Sequence, residues 1–194
     1  TCALPIYPEG ISTDEKIAYL LELRASGKNI CAPYAEKFPE AKFIAGKKPW
    51  GVCQDFDVKV DLFIPCAMQN DVHMEDAKNI VESGCKFYCE GANMPTTNDA
   101  LVYLMDKMIA VGPAKAANAG GVACSCIEMG QNAGHTVFQH EDVYEQLHQI
   151  MRNIYNACAN AGETYYGDKN ALVQGANIAG FERVAEAMMA QGIV

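Results

Sequence analysis

Asn118, Val122 and Ser125 stand at i, i+4 and i+7, so on a helix they share one face, with Gly121 beside them. An amide at one end of this strip and a hydroxyl at the other offer hydrogen bonds to a small polar ligand, and a glycine between them lets that ligand approach the backbone. The surrounding segment reads as a helix. Pro113 suits a first helical position, and Ala114, Lys115, Ala116 and Ala117 follow as good helix formers. Adjacent Gly120 and Gly121 then each cost about 1 kcal/mol relative to alanine. That cost is accepted where a ligand or another helix must come very close, and the strip by itself fits both.

Other reactive side chains form no recognisable centre. The nine cysteines are odd in number, and neither the Cys85/Cys89 spacing nor the Cys124/Cys126 pair around Ser125 supplies the C-x-x-C spacing of a zinc site. They read as small hydrophobes in a reducing cytosol. His73, His135, His140 and His148 are scattered, and no metal is expected. There is no G-x-G-x-x-G after a strand, no P-loop, no nucleophile elbow and no zincin motif. Spacing singles out no lysine or carboxylate as an acid or base, so no catalytic residue is assigned.

The elements that must position the strip are legible. Ser12 and Glu15 form a capping box for a helix that carries Ile17, Leu20 and Leu21 and ends near Gly27. Val60–Ile64 is a short apolar strand stopped by Pro65, and a helix from about Met74 to Ser83 is closed by Gly84. Residues 86–89 make a second strand. Thr96 or Thr97 caps a helix through Leu101, Leu104 and Met105, and residues 108–111 make a third strand ending at Gly112 and Pro113. Strand, helix, strand, helix, strand at this spacing predicts an α/β fold: part of a Rossmann-like parallel sheet with crossover helices, followed by a helical C-terminal extension. Ligands of such sheets bind at the carboxyl ends of the strands. Pro65–Ala67, Gly91–Asn93 and Gly112–Pro113 all fall there, and all leave room.

Beyond residue 113 the chain is nearly all helical. Val143, Leu147, Ile150, Met151, Ile154 and Cys158 form a core stripe, and Phe181, Val184, Ala185, Met188 and Met189 repeat the pattern. The small residues 175–180 read as a helix start packed on another helix. A net charge of −9 argues against nucleic acid or an anionic membrane as partner, and no apolar run approaches the roughly 20 residues of a membrane span. Thr1 to Ile6 carry no structural signal, are too short for a signal peptide and read as translated adapter sequence. The organisation expected is 1–6 unmatched, 7–113 a partial dinucleotide-binding domain, and 114–194 a helical hinge and C-terminal segment.

Several motifs in order resemble glutamate dehydrogenase over nearly the whole chain: residues 65–70, the run from Cys89 to Thr97, the strip from Pro113 continuing to Asn132, the cluster from Gly175 to Phe181, and the close at Val194. The likeness is to the small hexameric type of bacteria and fungi, and the chain corresponds to the C-terminal two-fifths or so of that enzyme. The resemblance implies NADP or NAD as cofactor, with Cys66, Ala67 and Asn93 lining its cleft. Asn118 would stand beside the reacting end of the substrate, Val122 against its methylenes, and Ser125 on the far carboxylate of glutamate or 2-oxoglutarate. Hydride would pass between the nicotinamide and the substrate's α-carbon, with ammonia incorporated through an imine. The resemblance further implies a cytoplasmic hexamer, an acid–base pair and phosphate-binding turn supplied from outside this chain, and no turnover by the chain alone. Another amino-acid dehydrogenase acting on an apolar side chain is the nearest rival, and a non-catalytic nucleotide-binding module is a third reading. Two departures stand out: Cys126 where the family usually has glycine, and a longer segment over residues 51–59.

Overall fold

The computed structural model describes residues 2–3, 10–27, 31–46, 48–50 and 59–192. Residues 4–9, 51–58 and the closing 193–194, on which parts of the sequence reading fall, lie outside the described residues. The chain divides into two compact units, residues 1–60 with 78–84, and residues 61–77 with 85–194.

The first unit holds β1 (Cys2–Ala3) paired antiparallel with β2 (Ile44–Ala45), together with α1 (Asp14–Ala25) and α2 (Cys31–Lys37). The N-cap of α1 is Thr13 and not Ser12: its hydroxyl accepts the Lys16 N–H at 3.3 Å from extended backbone at φ −120°. The box is thereby shifted, because Lys16 and not a carboxylate occupies the third helical position. Its amine donates to the Gly10 carbonyl at 3.3 Å and pairs with Glu40 at 3.0 Å while its stem is buried. The buried face of α1 therefore runs through Lys16 and Leu23, beside Tyr34 and Ala41; of the three apolar residues at helical spacing, Leu20 packs against this cluster while Ile17 and Leu21 are exposed.

The second unit is built on three parallel strands in sequential order, β3 (Leu62–Phe63), β4 (Phe87–Cys89) and β5 (Ala110–Gly112); of the crossover helices, α4 (Asn98–Lys107) lies within it and α3 (Met74–Glu82) is divided between the two units after Ala77. Apolar runs bounded by Pro65, Gly84 and Pro113 dictate this pattern, and Gly84 ends α3 at φ +86°. Val72, Tyr88, Leu104 and Val111 are its buried centre. Within it the Tyr88 hydroxyl and the Thr96 hydroxyl are hydrogen-bonded at 2.7 Å. Burial holds the Tyr88 hydroxyl well above its ordinary titration range, with the Thr96 bond opposing that shift. The folded state then binds this proton more tightly than the unfolded chain. The stability contributed is full below the unfolded pKa of 10.0 and is lost as pH rises above it. Urea midpoints are expected to fall between pH 9 and pH 11, and Tyr88→Phe is expected to flatten that fall while costing about 1–3 kcal/mol for the unpaired Thr96.

The helical extension is α5 (Ala114–Ala117), α6 (Ala119–Ala133), α7 (His140–Tyr166) and α8 (Leu172–Gln191). The α7 stripe is half-buried from Val143 to Ile154 and fully buried at Cys158. The small-residue cluster is a helix-packing contact: a Cβ on Gly175 would lie 1.9 Å from the Cys158 carbonyl oxygen of α7. Further along α8, the expected core pattern is not covered by the described residues. Phe181 is 66% exposed, Val184 55%, Met188 51% and Met189 77%. The close approach of α7 and α8 is at Cys158, Gly162 and Gly175, and these larger side chains stand outside it. Among the described residues no helix is long and apolar enough to cross a membrane.

Candidate cofactor and substrate cleft

Two loops leaving the strand ends are laced together. The Pro65 carbonyl accepts the N–H groups of Gly91 (3.1 Å) and Ala92 (2.9 Å), and the Asn70 N–H donates to Met94 O at 2.8 Å. Asn70 and Met94 sit in the left-handed region at φ 54° and 46°. Gly91 is closely packed: a Cβ there would meet Cys66 Sγ at 2.5 Å and Ile64 Cγ2 at 3.3 Å, so the Cys66 side chain would have to move. The strip itself departs from a single continuous helix. Pro113 is the N-cap of α5 and not its first helical residue, and Asn118 (φ −96°, ψ 4°) breaks the run between α5 and α6. That break turns the Asn118 side chain onto the adjoining loop, where its Nδ2 donates to Asn93 Oδ1 at 2.5 Å.

The result is a cavity of about 660 Å³ whose wall includes Cys66, Ala67, Asn93, Asn118 and Val122, together with Gln69 and Gly121. Residues assigned by resemblance to the cofactor and to the substrate thus line one hollow. Ser125 lies one turn beyond, exposed, with its hydroxyl on the Gly121 carbonyl at 3.2 Å, and is not part of the lining. Cys126 is exposed and outside the lining too. The two glycines differ. A Cβ on Gly120 would touch Leu147 and Met151 at 3.6 Å, so that glycine serves helix packing, whereas nothing lies within 4 Å of one on Gly121.

The third expected strand-end segment does not join this cleft. Gly112 and Pro113 line a separate apolar hollow of about 360 Å³ with Phe87, Met151 and Ile154. Pro113 is the cause, since its extended backbone carries the chain past the cleft before α5 begins.

Among the described residues, the cleft lining contains no charged side chain. It offers amide donors and acceptors at Gln69, Asn93 and Asn118 with small apolar walls, which suits a neutral polar ring or a carboxamide better than a phosphate. Burial pushes the Cys89 and Cys158 thiols up, so neither is a thiolate nucleophile at neutral pH. Among the described residues no group of three or more His, Cys, Asp or Glu could hold a metal ion. Gln69 and Glu90 fall within the motifs that carry the resemblance, which implies no role for either. Gln69 lines the cleft, and the buried Glu90 carboxylate accepts the Ala114 N–H at 3.0 Å. The only advance signal for Glu90 is an ionisable residue directly after an apolar strand.

Parallel strands with helical crossovers and an amide-lined cleft at their carboxyl ends define a Rossmann-like α/β unit. Residues 5–192 match the Glutamate/Leucine/Phenylalanine/Valine dehydrogenase family, and the chain belongs to it. It is 52% identical to the NAD-specific glutamate dehydrogenase of Clostridium symbiosum, over 96% of this chain and 40% of that protein. It is 42% identical to the NADP-specific enzyme of Escherichia coli, over 94% of this chain and 39% of that one. The crystal structure of Plasmodium falciparum glutamate dehydrogenase superposes with a TM-score of 0.85 at 41% identity, covering 96% of this chain and 38% of that one. The chain thus spans about two-fifths of the length of these relatives.

Proposed function

We propose that this chain is the C-terminal part of an NAD(P)-dependent glutamate dehydrogenase. Residues 7–113 belong to its dinucleotide-binding domain, and 114–194 form its hinge and C-terminal segment. The observation that carries the reading is the single neutral cleft shared by Asn93 and Asn118 at the strand ends. The donor set fits a nicotinamide: side-chain amides at Asn93 and Gln69 match a carboxamide, and Gly121 leaves room for a flat ring. Bound there, the cofactor would exchange a hydride with the substrate's α-carbon.

The chain's own part is positioning. The Asn93–Asn118 bond ties the cofactor side of the cleft to the substrate side, so both partners are held in one geometry. Val122 supplies an apolar wall for methylenes. Ser125, a turn further out, reaches the distal carboxylate once its hydroxyl leaves the Gly121 carbonyl. The resemblance to glutamate dehydrogenase implies a cytoplasmic homo-hexamer with glutamate, 2-oxoglutarate and ammonia as reactants. The test is a chimera in which this chain replaces the matching segment of the Clostridium symbiosum enzyme. It is expected to reduce NAD or NADP with glutamate and not with leucine. Ser125→Ala should lower kcat/KM for glutamate by about tenfold to a hundredfold, the worth of one hydrogen bond to a charged group. Preference for leucine, or indifference to Ser125→Ala, would overturn the assignment.

A further inference from the structure

Glu90 is 4% exposed and follows β4 directly. Its N–H donates to the Gly112 carbonyl at 2.9 Å, which continues the ladder to β5 and fixes the Glu90 backbone. Its carboxylate accepts the N–H of Ala114, the first residue of α5, at 3.0 Å. The residue preceding that helix is Pro113, which has no side-chain acceptor and makes no cap bond of its own. The first turn of α5 is therefore capped across the sheet by a buried carboxyl group, where helices ordinarily use a neighbouring serine, threonine or aspartate. The bond satisfies one of the unpaired N–H groups of the first turn, and it favours one helix orientation.

The consequence reaches the cleft. α5 is four residues long and ends at Asn118, whose N–H donates to the Ala114 carbonyl at 2.9 Å. One helical turn thus separates the Glu90 cap from the amide that meets Asn93. Glu90 and Asn93 leave the same strand three residues apart, so both ends of that turn are pinned to one loop: Ala114 to Glu90, and Asn118 to Asn93. With the cap removed, the turn can pivot about the Asn93 contact, and a shift of this size in a positioning group is costly to rate.

We infer that Glu90 is a positioning residue that sets the Asn118 side of the cleft by capping α5 across the sheet. The role rests on the reading of the cleft as a dehydrogenase site, and it makes a geometric claim that can be read without turnover. In the chimera, Glu90→Gln keeps an oxygen acceptor at the same reach and is expected to stay within about threefold of the parent in kcat/KM. Glu90→Asp keeps the charge but falls short of Ala114, and Glu90→Ala removes the acceptor. Both are expected to lose about tenfold or more, mainly in kcat, since binding groups remain while their alignment does not. Hydrogen exchange supplies the independent readout: amides 114–118 should lose protection in the Asp and Ala variants and keep it in the Gln variant. Equal exchange and equal kcat/KM across all three variants would overturn the role. So would loss in Gln as deep as in Ala, which would mean that the charge and not the cap matters. An inactive parent would defeat the dehydrogenase reading alone, because the exchange pattern still decides the cap. Should the Ala variant fail to fold, the Asp and Gln pair carries the same decision.

Discussion

Gly175→Ala is expected to unfold the helical extension. An added Cβ would lie 1.9 Å from the Cys158 carbonyl oxygen, 2.9 Å from its carbon and 3.0 Å from the Gly162 nitrogen. All three are backbone atoms of α7, so no rotamer change relieves the overlap and the two helices must separate. Overpacking in a core costs typically about 1–3 kcal/mol where side chains can adjust. Here they cannot, and about 3 kcal/mol or more is expected, a large share of the stability of any domain. Separation would also open the opposing Gly162, where a Cβ would meet the Asp168 carbonyl oxygen at 2.8 Å. Gly180→Ala is the internal control. It lies in the same helix with nothing within 4 Å, and should gain about 1 kcal/mol from propensity alone. Urea titration followed by circular dichroism at 222 nm separates the two. A Gly175→Ala midpoint equal to that of the parent would refute the packing account.

The sheet was readable because its punctuation is local. Pro65, Gly84 and the Gly112–Pro113 pair each stop an element by backbone chemistry alone. What was not readable depends on long-range partners. The cap on α1 sits at Thr13 because Lys16, one position after the expected carboxylate, finds Glu40 and Gly10 in space. Phe181, Val184 and Met188 have a core periodicity, yet periodicity says only that one face is apolar, not that these residues cover it. The cleft itself was half legible. Small residues at two strand ends and an amide on a helix are visible in the chain, and they do meet. The helical spacing predicts Asn118 on a continuous helix, whereas it is a break, because the Asn93 bond that holds it there joins residues 25 apart. Strand order alone points Gly112–Pro113 at the same cleft, since a loop's composition gives its room and not its direction. Glu90 has no local signal for the same reason, its partner lying across the sheet.

Gly121 and Gly120 look identical in sequence, and exchanging each for leucine is expected to break different things. Neighbouring helical positions differ by about 100° around the axis, so two adjacent glycines cannot serve the same surface. On Gly120 a first carbon would already touch Leu147 and Met151 at 3.6 Å. Gly120→Leu should therefore wedge α6 from α7 and lower stability by about 1–3 kcal/mol. On Gly121 the first carbon meets nothing within 4 Å, and the direction beyond it is the cleft shared with Asn93 and Asn118. Gly121→Ala should keep the fold and gain up to about 1 kcal/mol from helix propensity. Gly121→Leu should keep the fold as well, while its branched end occupies the space a ligand needs. In the chimera this predicts a loss of kcat/KM for glutamate of more than about a hundredfold, with a melting temperature no lower than the parent's. Such a split between activity and stability identifies a ligand wall, because residues that matter only for packing lose both together. If Gly121→Leu retained activity within about threefold, the strip from Asn118 to Val122 would be a packing face after all, and the cleft reading would fail with it.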